Sequence, residues 1–117
     1  MKIDYDLITD LSLSLNPGEK KYIFIRGYIS TIALGVKIVT AGGAVKIQSS
    51  LASTELFEEI SSHSEVEWEN IKVDGVEYSE VTFDIPSMIF YAPNILYIEN
   101  TSINSSVINV DLRGNRS

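Results

Sequence analysis

Short runs of alternating apolar and polar residues, separated by glycine or proline turns, constrain this chain more than any other feature. In GVKIVTAGGAVKIQSS, residues 35–50, side chains alternate on both sides of Gly42-Gly43. A period of two is that of a β-strand, and paired glycines tolerate the positive φ of a tight turn. The pattern predicts a hairpin with one face in a core. Its apolar face pairs Thr40–Val45, Ile38–Ile47 and Val36–Ser49.

The other face of this predicted hairpin is mostly polar. It pairs Val39 with Lys46 and Lys37 with Gln48. An antiparallel pair commonly leaves such a face outside the core. We therefore predict these four side chains as a contact with a neighbouring subunit.

Three other segments show strand patterns. Around Pro17-Gly18, a tight turn would set Leu13 opposite Tyr22 and Leu11 opposite Phe24, pairing aliphatic with aromatic side chains. Pro-Gly favours a type II turn, so a slightly longer loop with another register is the alternative. Residues 94–114 hold two alternating runs joined by the polar connection ENTSINSS, which predicts a final hairpin. PSMIFYAP, residues 86–93, is bracketed by prolines and predicts an edge strand or an ordered loop.

A further hairpin is predicted around Asp74-Gly75, and its apolar face switches sides. The predicted pairs are Val73–Val76, Lys72–Glu77, Ile71–Tyr78, Trp68–Val81 and Val66–Phe83. The apolar pairs near the turn, Val73–Val76 and Ile71–Tyr78, lie on one face of the hairpin. The apolar pairs farther from the turn, Trp68–Val81 and Val66–Phe83, lie on the opposite face. A bulge explains the switch, and so does a long hairpin whose tip reaches another surface. The second interpretation predicts a docking arm with the partner-binding residues Ile71, Val73, Val76 and Tyr78.

Only SLASTELFEEISSH, residues 50–63, has a helical pattern. Ser53 or Thr54 caps it, and its apolar face is Leu56, Phe57 and Ile60. The remaining strands and turns predict one all-β domain over residues 1–117. We expect an antiparallel β-sandwich, jelly-roll or immunoglobulin-like, with at most one short helix.

Composition excludes several classes of function. The 117 residues include no cysteine, which excludes disulfides, thiolate metal sites and cysteine nucleophiles. The net charge of −7 opposes binding to nucleic-acid phosphates. No apolar run approaches the roughly 20 residues of a membrane-spanning helix, and MKIDYDLITDL lacks a signal-peptide core. We expect a soluble protein made without a secretion signal, with no nucleic-acid or membrane partner.

Candidate chemistry is sparse. His63 is the only histidine, and no nucleophile motif accompanies it, so we interpret it as a surface or cap residue. Trp68 is predicted in the core, with a sugar-stacking platform as the alternative. An acidic strand face is interpreted as solvated, with a basic partner or a calcium ion as alternatives. The acidic residues are Glu65, Glu67 and Glu69, facing Glu80 and Asp84. We predict no catalytic residue, no cofactor, no metal and no enzymatic activity.

The chain resembles small all-β structural proteins of tailed bacteriophages. The resemblance runs from Gly35 to Gly114. It joins the glycine-turn segment GGAVKIQSSLA, a tryptophan in EVEWENI and a last pair of alternating runs that ends at a glycine. It implies a virion subunit that decorates the capsid or joins head, neck and tail components. Subunits of this kind work as symmetric oligomers and contact other virion proteins, and the family carries over no catalytic residues.

Two functions are therefore expected. The first is a virion structural protein, made in the host cytoplasm and assembled as a homo-oligomer with other virion proteins. The alternative is a carbohydrate-binding β-sandwich module that acts in host attachment. A surface aromatic cluster with polar neighbours would favour the alternative.

Overall fold

The computed structural model describes residues 6–25, 29–52 and 66–116. These described residues form ten β-strands. All the strand pairs are antiparallel. The strands are β1 (Asp6–Leu15), β2 (Lys20–Phe24), β3 (Ile29–Ile38), β4 (Val45–Ser50), β5 (Glu69–Asn70), β6 (Lys72–Val73), β7 (Val76–Glu77), β8 (Ile85–Tyr91), β9 (Ile95–Asn100) and β10 (Ser106–Arg116).

Two four-stranded sheets make up an all-β sandwich. The first sheet has the order β1-β10-β3-β8, and the second has the order β2-β9-β4-β5. The strands β6 and β7 form a separate two-stranded ribbon. The chain crosses between the sheets from β1 through β2 and β3 to β4, from β5 to β8, and from β8 through β9 to β10. This interleaved order is that of a jelly roll, so the sandwich prediction is confirmed in its jelly-roll form.

The core lies between the two sheets because each main strand buries one face. Alternate residues of β3, β10, β4 and β9 point into this space, as the period of two requires. Fully or nearly fully buried examples are Ile32, Leu34, Val36, Ile108, Val110, Leu112, Val45, Ile47, Leu96 and Ile98. Leu11 and Leu13 of β1 pack against the same core.

The hairpins predicted around Pro17-Gly18 and Gly42-Gly43 are wrong, and so is the final hairpin. In each case the two strands lie in different sheets. Ile38 pairs with Ile108 rather than Ile47, and Leu13 also pairs with Ile108 rather than Tyr22. Alternation shows which face of a strand is buried but does not identify its neighbour. Strands that oppose each other across a sandwich present the same pattern as strands that lie side by side.

The predicted turns are nevertheless present at these crossings. Gly18 has φ 78° in the turn closed by the Glu19 N–H donating to the Asn16 carbonyl at 2.9 Å. Gly42 has φ 77°, and the Gly43 N–H donates to the Thr40 carbonyl at 3.1 Å. Turn residues therefore mark where the chain reverses, whichever sheet it enters next.

The Asp74-Gly75 hairpin is confirmed near its turn and wrong farther away. Val73 pairs with Val76, and Lys72 pairs with Glu77. Both turn residues have positive φ, which matches a type I′ turn. Beyond the ribbon, β5 pairs with β4 instead, and Val81 forms a bridge with Val45. The predicted Trp68–Val81 and Val66–Phe83 pairs are therefore absent, and the parity switch marks the point where the ribbon ends.

The interpretation of PSMIFYAP as an edge strand is confirmed, because β8 is the last strand of the first sheet. The helix predicted over residues 50–63 falls mainly on residues outside those described, as do His63 and Glu65. Among the residues that are described, no helix is long and apolar enough to cross a membrane.

Candidate functional site

Strand β8 forms an accessible edge of the first sheet. It pairs with β3 on one side, and no described strand pairs with its other side. Asp84 precedes the strand and accepts a hydrogen bond from the Ile38 N–H at 2.9 Å. After the strand, the Ala92 N–H donates to the Ser30 carbonyl at 3.0 Å. These two bonds fix both ends of β8 against β3.

Both faces of β8 are apolar. Ile89 and Tyr91 point away from the core and are 61% and 87% exposed. Met88 and Phe90 alternate with them, and both are half-buried against the core. The strand sequence IPSMIFY contains no charged residue. A long, exposed and uncharged edge is a template for pairing with another strand.

Among the described residues, no backbone group pairs with the outer edge of β8. Antiparallel strands alternate residues that bond to the neighbour with residues that point away from it. Because Ala92 bonds to Ser30, the register assigns Phe90 to the β3 side. The N–H and C=O groups of Ile89 and Tyr91 therefore point to the open side. Pro86, which lacks an N–H, lies before these residues, where the register between β3 and β8 shifts.

An apolar cavity of about 640 Å³ opens beside the same edge. Met88 and Phe90 line it from β8, and Ile47, Ile71 and Leu96 line it from the opposite side. Glu69 and Lys72 also border it. Among the described residues, apolar side chains therefore lie on the core side of β8 as well as on its outer side.

A second candidate surface lies on the outer face of the second sheet. Tyr22, Trp68 and Tyr97 form an aromatic cluster, with ring centroids 5.3–6.0 Å apart. Tyr22, Tyr97, Gln48 and Asn70 lie in one row across β2, β9, β4 and β5. Trp68 was predicted in the core with Val66, Val81 and Phe83. That prediction is wrong, because Trp68 packs on the two tyrosines instead.

Polar groups surround the aromatic cluster. The Gln48 amide donates to Asn70 at 2.9 Å, and the Asn70 amide donates to Glu77 at 3.2 Å. The Tyr97 hydroxyl donates to the Glu99 carboxylate. Burial, together with this bond and the negative charge of Glu99, raises the pKa of Tyr97. Tyr97 is only 2% exposed, so its ring serves mainly to pack the cluster.

The four residues of the predicted docking arm are not equivalent. Ile71 is 7% exposed and belongs to the core, while Val73 and Tyr78 pack against that core. Val76 is 53% exposed. The parity switch therefore does not require a partner to bury Ile71, Val73 and Tyr78. Partner binding at this ribbon remains a prediction, and Val76 is the residue placed to make it.

The predicted contact face of Lys37, Val39, Lys46 and Gln48 is divided. Lys37 and Val39 belong to β3 and its end, in the first sheet, whereas Lys46 and Gln48 belong to β4, in the second. Lys37 aligns with Asn109, and Lys46 aligns with Glu99. Because the two pairs lie on different sheets, they do not form the single hairpin face that the sequence predicted.

The predicted acidic face is also rearranged. Glu69 pairs with Ser49, so it does not stand opposite Glu80 and Asp84 as the long hairpin required. No group of three or more histidine, aspartate or glutamate side chains in the described part of the chain is placed to hold a metal ion. Within those residues, acidic side chains give no reason to place calcium.

Sequence reasoning identified β8 as an edge but did not select Ile89 and Tyr91 as site residues. The available signal was the absence of charge between Pro86 and Pro93. Which side chains remain exposed depended on how β8 docks against β3. Comparison with known protein families and with curated protein sequences gives no match to this chain.

Proposed function

We propose that this chain is a structural subunit of a tailed-bacteriophage particle, which decorates the capsid or joins head, neck and tail components through protein–protein contacts. The proposal gives the chain a binding role and no catalytic one. It places the chain in the virion, as a homo-oligomer in contact with other virion proteins, after synthesis in the host cytoplasm.

One observation carries this proposal: the uncharged edge strand β8, with apolar side chains on both faces. A protein that works alone gains nothing from such an edge, because it promotes association. A subunit of an assembly uses it as a contact. The jelly-roll strand order adds support, since viral capsid subunits are among the proteins built on it. The resemblance over Gly35 to Gly114 points to the same class.

The test is incorporation into particles. The chain, carrying an epitope tag, is produced in cells that assemble the phage encoding it, and particles are purified on a density gradient. We expect the tag to sediment with the particles and immunogold labelling to mark one fixed position on them. A tag that stays with free protein while complete particles form would contradict the proposal.

A carbohydrate-binding module is the second candidate, and the aromatic cluster with its polar row is the observation that favours it. Aromatic rings beside amide and carboxylate groups suit sugar rings, which have apolar faces and hydroxyl edges. Trp68 is the only tryptophan, so its fluorescence reports directly on this surface. Titration with bacterial surface oligosaccharides should shift that emission, and Trp68→Phe should abolish the signal. An unchanged emission spectrum would count against this candidate.

A further inference from the structure

We propose that the open edge of β8 pairs antiparallel with the same strand of a second copy of this chain, about a twofold axis at Ile89. The inference rests on the proposed assembly function and names the partner of the edge described above. This pairing joins the four-stranded first sheet of one copy to the first sheet of the other, so that the two form one continuous sheet.

The other sheet edges that the structure describes are protected against such pairing. The outer face of β1 carries Asp10, Ser12 and Ser14. Strand β2 begins with Lys20 and Lys21, and β5 is only two residues long. Charges, prolines, bulges and short length are the usual means of blocking an edge, and in β8 the proline and the register shift lie before Met88. Among these described edges β8 alone combines length with a lack of charge.

The register follows from the groups that point to the open side. Ile89 and Tyr91 point their N–H and C=O groups to the open side, and Ser87 lies where the register between β3 and β8 shifts. Centring the axis on Ile89 places Ile89 opposite itself and Ser87 opposite the partner's Tyr91. Ile89 then forms a hydrogen-bonded pair with its own copy, and Pro86, which lacks an N–H, lies outside the stretch from Ser87 to Tyr91. Antiparallel pairing of a strand with itself generates a closed twofold dimer rather than an open filament.

Side-chain chemistry agrees with this register. On the outer face, the two Ile89 side chains meet and each Tyr91 ring covers the partner's Ser87, which buries the two most apolar exposed positions of the strand. On the inner face, Met88 stands opposite the partner's Phe90 beside the cavity. Aromatic and aliphatic neighbours across strands are favourable pairs.

Charge does not block a second copy at this edge. The chain carries a net charge of −7, so two copies repel each other wherever carboxylates meet. In the proposed register Asp84, the carboxylate nearest to the strand, stands opposite the partner's Asn94. Strand β8 itself holds no charged residue, so no carboxylates face each other along the paired strands.

The first test measures the mass of the purified protein by sedimentation equilibrium over a range of concentrations. We expect the wild type to be a dimer. Ile89→Lys combined with Tyr91→Lys should raise the dissociation constant by roughly tenfold or more, because like charges then face one another across the pair. The matched control, Ser14→Lys combined with Ile103→Lys, adds the same two charges at exposed positions outside β8 and should leave the dimer intact.

The second test fixes the register by disulfide formation, which is clean because the chain has no cysteine. A hydrogen-bonded antiparallel pair sets Cα atoms about 5.5 Å apart, within the range that a disulfide spans. Ile89→Cys should crosslink to itself. The single variants Ser87→Cys and Tyr91→Cys should each form no disulfide when they are oxidised separately. When the two variants are mixed, the cysteine of one should form a disulfide with the cysteine of the other. Ile103→Cys should remain monomeric under denaturing conditions.

A monomeric wild type at all concentrations would overturn the inference. So would a dimer that survives both lysines and gives no crosslink at Ile89. Neither result bears on particle incorporation, which the density gradient measures separately. Conversely, a β8-paired dimer that never sediments with particles would retain the pairing and remove the proposed function. Circular dichroism of each variant confirms that the fold is intact before its mass is interpreted.

Discussion

Asn100 shows how one polar side chain secures a crossing between the two sheets. It is fully buried at the end of β9. Its amide nitrogen donates to the carbonyls of Leu15 and Asn104, both at 2.9 Å. Its amide oxygen accepts from the Ser102 N–H at 2.9 Å and from the Ser102 hydroxyl at 2.6 Å. Each polar atom of the side chain is therefore satisfied, and the loop is tied to the end of β1.

Asn100→Ala should lower the free energy of unfolding by about 2–3 kcal/mol, because buried carbonyls and an amide lose their partners. Urea unfolding monitored by circular dichroism measures this change. Asn109→Ala, at an exposed position of β10, is the control and should stay within about 0.5 kcal/mol of wild type. An equally small effect at Asn100 would show that water replaces its hydrogen bonds.

Tyr97 links the aromatic cluster to alkaline stability. Its pKa lies above the ordinary value of 10.0, because of burial, the hydrogen bond to Glu99 and the charge of Glu99. Above pH 10 the unfolded chain releases this proton before the folded chain does. The stabilising contribution is therefore present below the unfolded pKa and is lost as pH rises above it.

Urea midpoints measured between about pH 8 and pH 11 should fall more steeply for wild type than for Tyr97→Phe, which has no phenol to ionise. The lysines titrate in both proteins, so the comparison isolates Tyr97. Parallel curves for the two proteins would mean that the Tyr97 phenol ionises equally in the folded and unfolded states.

At the scale of the element, the β6–β7 ribbon divides its apolar residues between core and solvent. Ile71 precedes the ribbon and enters the core, and the Tyr78 N–H donates to its carbonyl at 3.0 Å. Val76 is on the ribbon itself and remains exposed. A ribbon anchored in this way needs no partner for its own stability, so any docking role must be carried by Val76.

Ile71→Ala should destabilise the protein by about 2–4 kcal/mol, because it removes buried atoms beside a cavity that the structure already contains. Val76→Ala should change stability by less than about 0.5 kcal/mol. Chemical denaturation distinguishes them. If Val76→Ala cost as much as Ile71→Ala, the exposed side of the ribbon would itself be packed in solution.

At the scale of the whole molecule, the interleaved topology closes the core but leaves edge strands at both ends of each four-stranded sheet. Each edge strand must be protected against pairing by its own residues. Charges or short length protect three described edges, whereas β8 is seven residues long and holds no charged residue. Association through that edge couples folding to protein concentration, since only the folded chain presents the paired strand.

The melting temperature of the wild type should therefore rise with concentration, by roughly 3–6 °C for each tenfold increase for a dimer of this size. Differential scanning calorimetry at several concentrations makes the measurement. The double variant Ile89→Lys, Tyr91→Lys should melt at a temperature independent of concentration. A wild type with the same flat dependence would be inconsistent with a dimer held by β8.

The sequence by itself determined the β-structure, the turns and the buried face of most strands. Alternation at Ile108, Val110 and Leu112 makes one face apolar in any sheet, and Gly18, Gly42 and Gly75 supply positive φ wherever the chain goes next. These are local properties, set by the backbone and by the period of the strand.

Only the tertiary structure decided which strands are neighbours. It moved β3 and β4 into different sheets, separated Lys37 from Lys46, and brought Tyr22, Trp68 and Tyr97 together. It also left Ile89 and Tyr91 at an open edge. The physical reason is that a buried strand face has the same pattern whether its partner lies beside it or across the core. Pairing is selected by how all the strands pack together, which no single segment encodes.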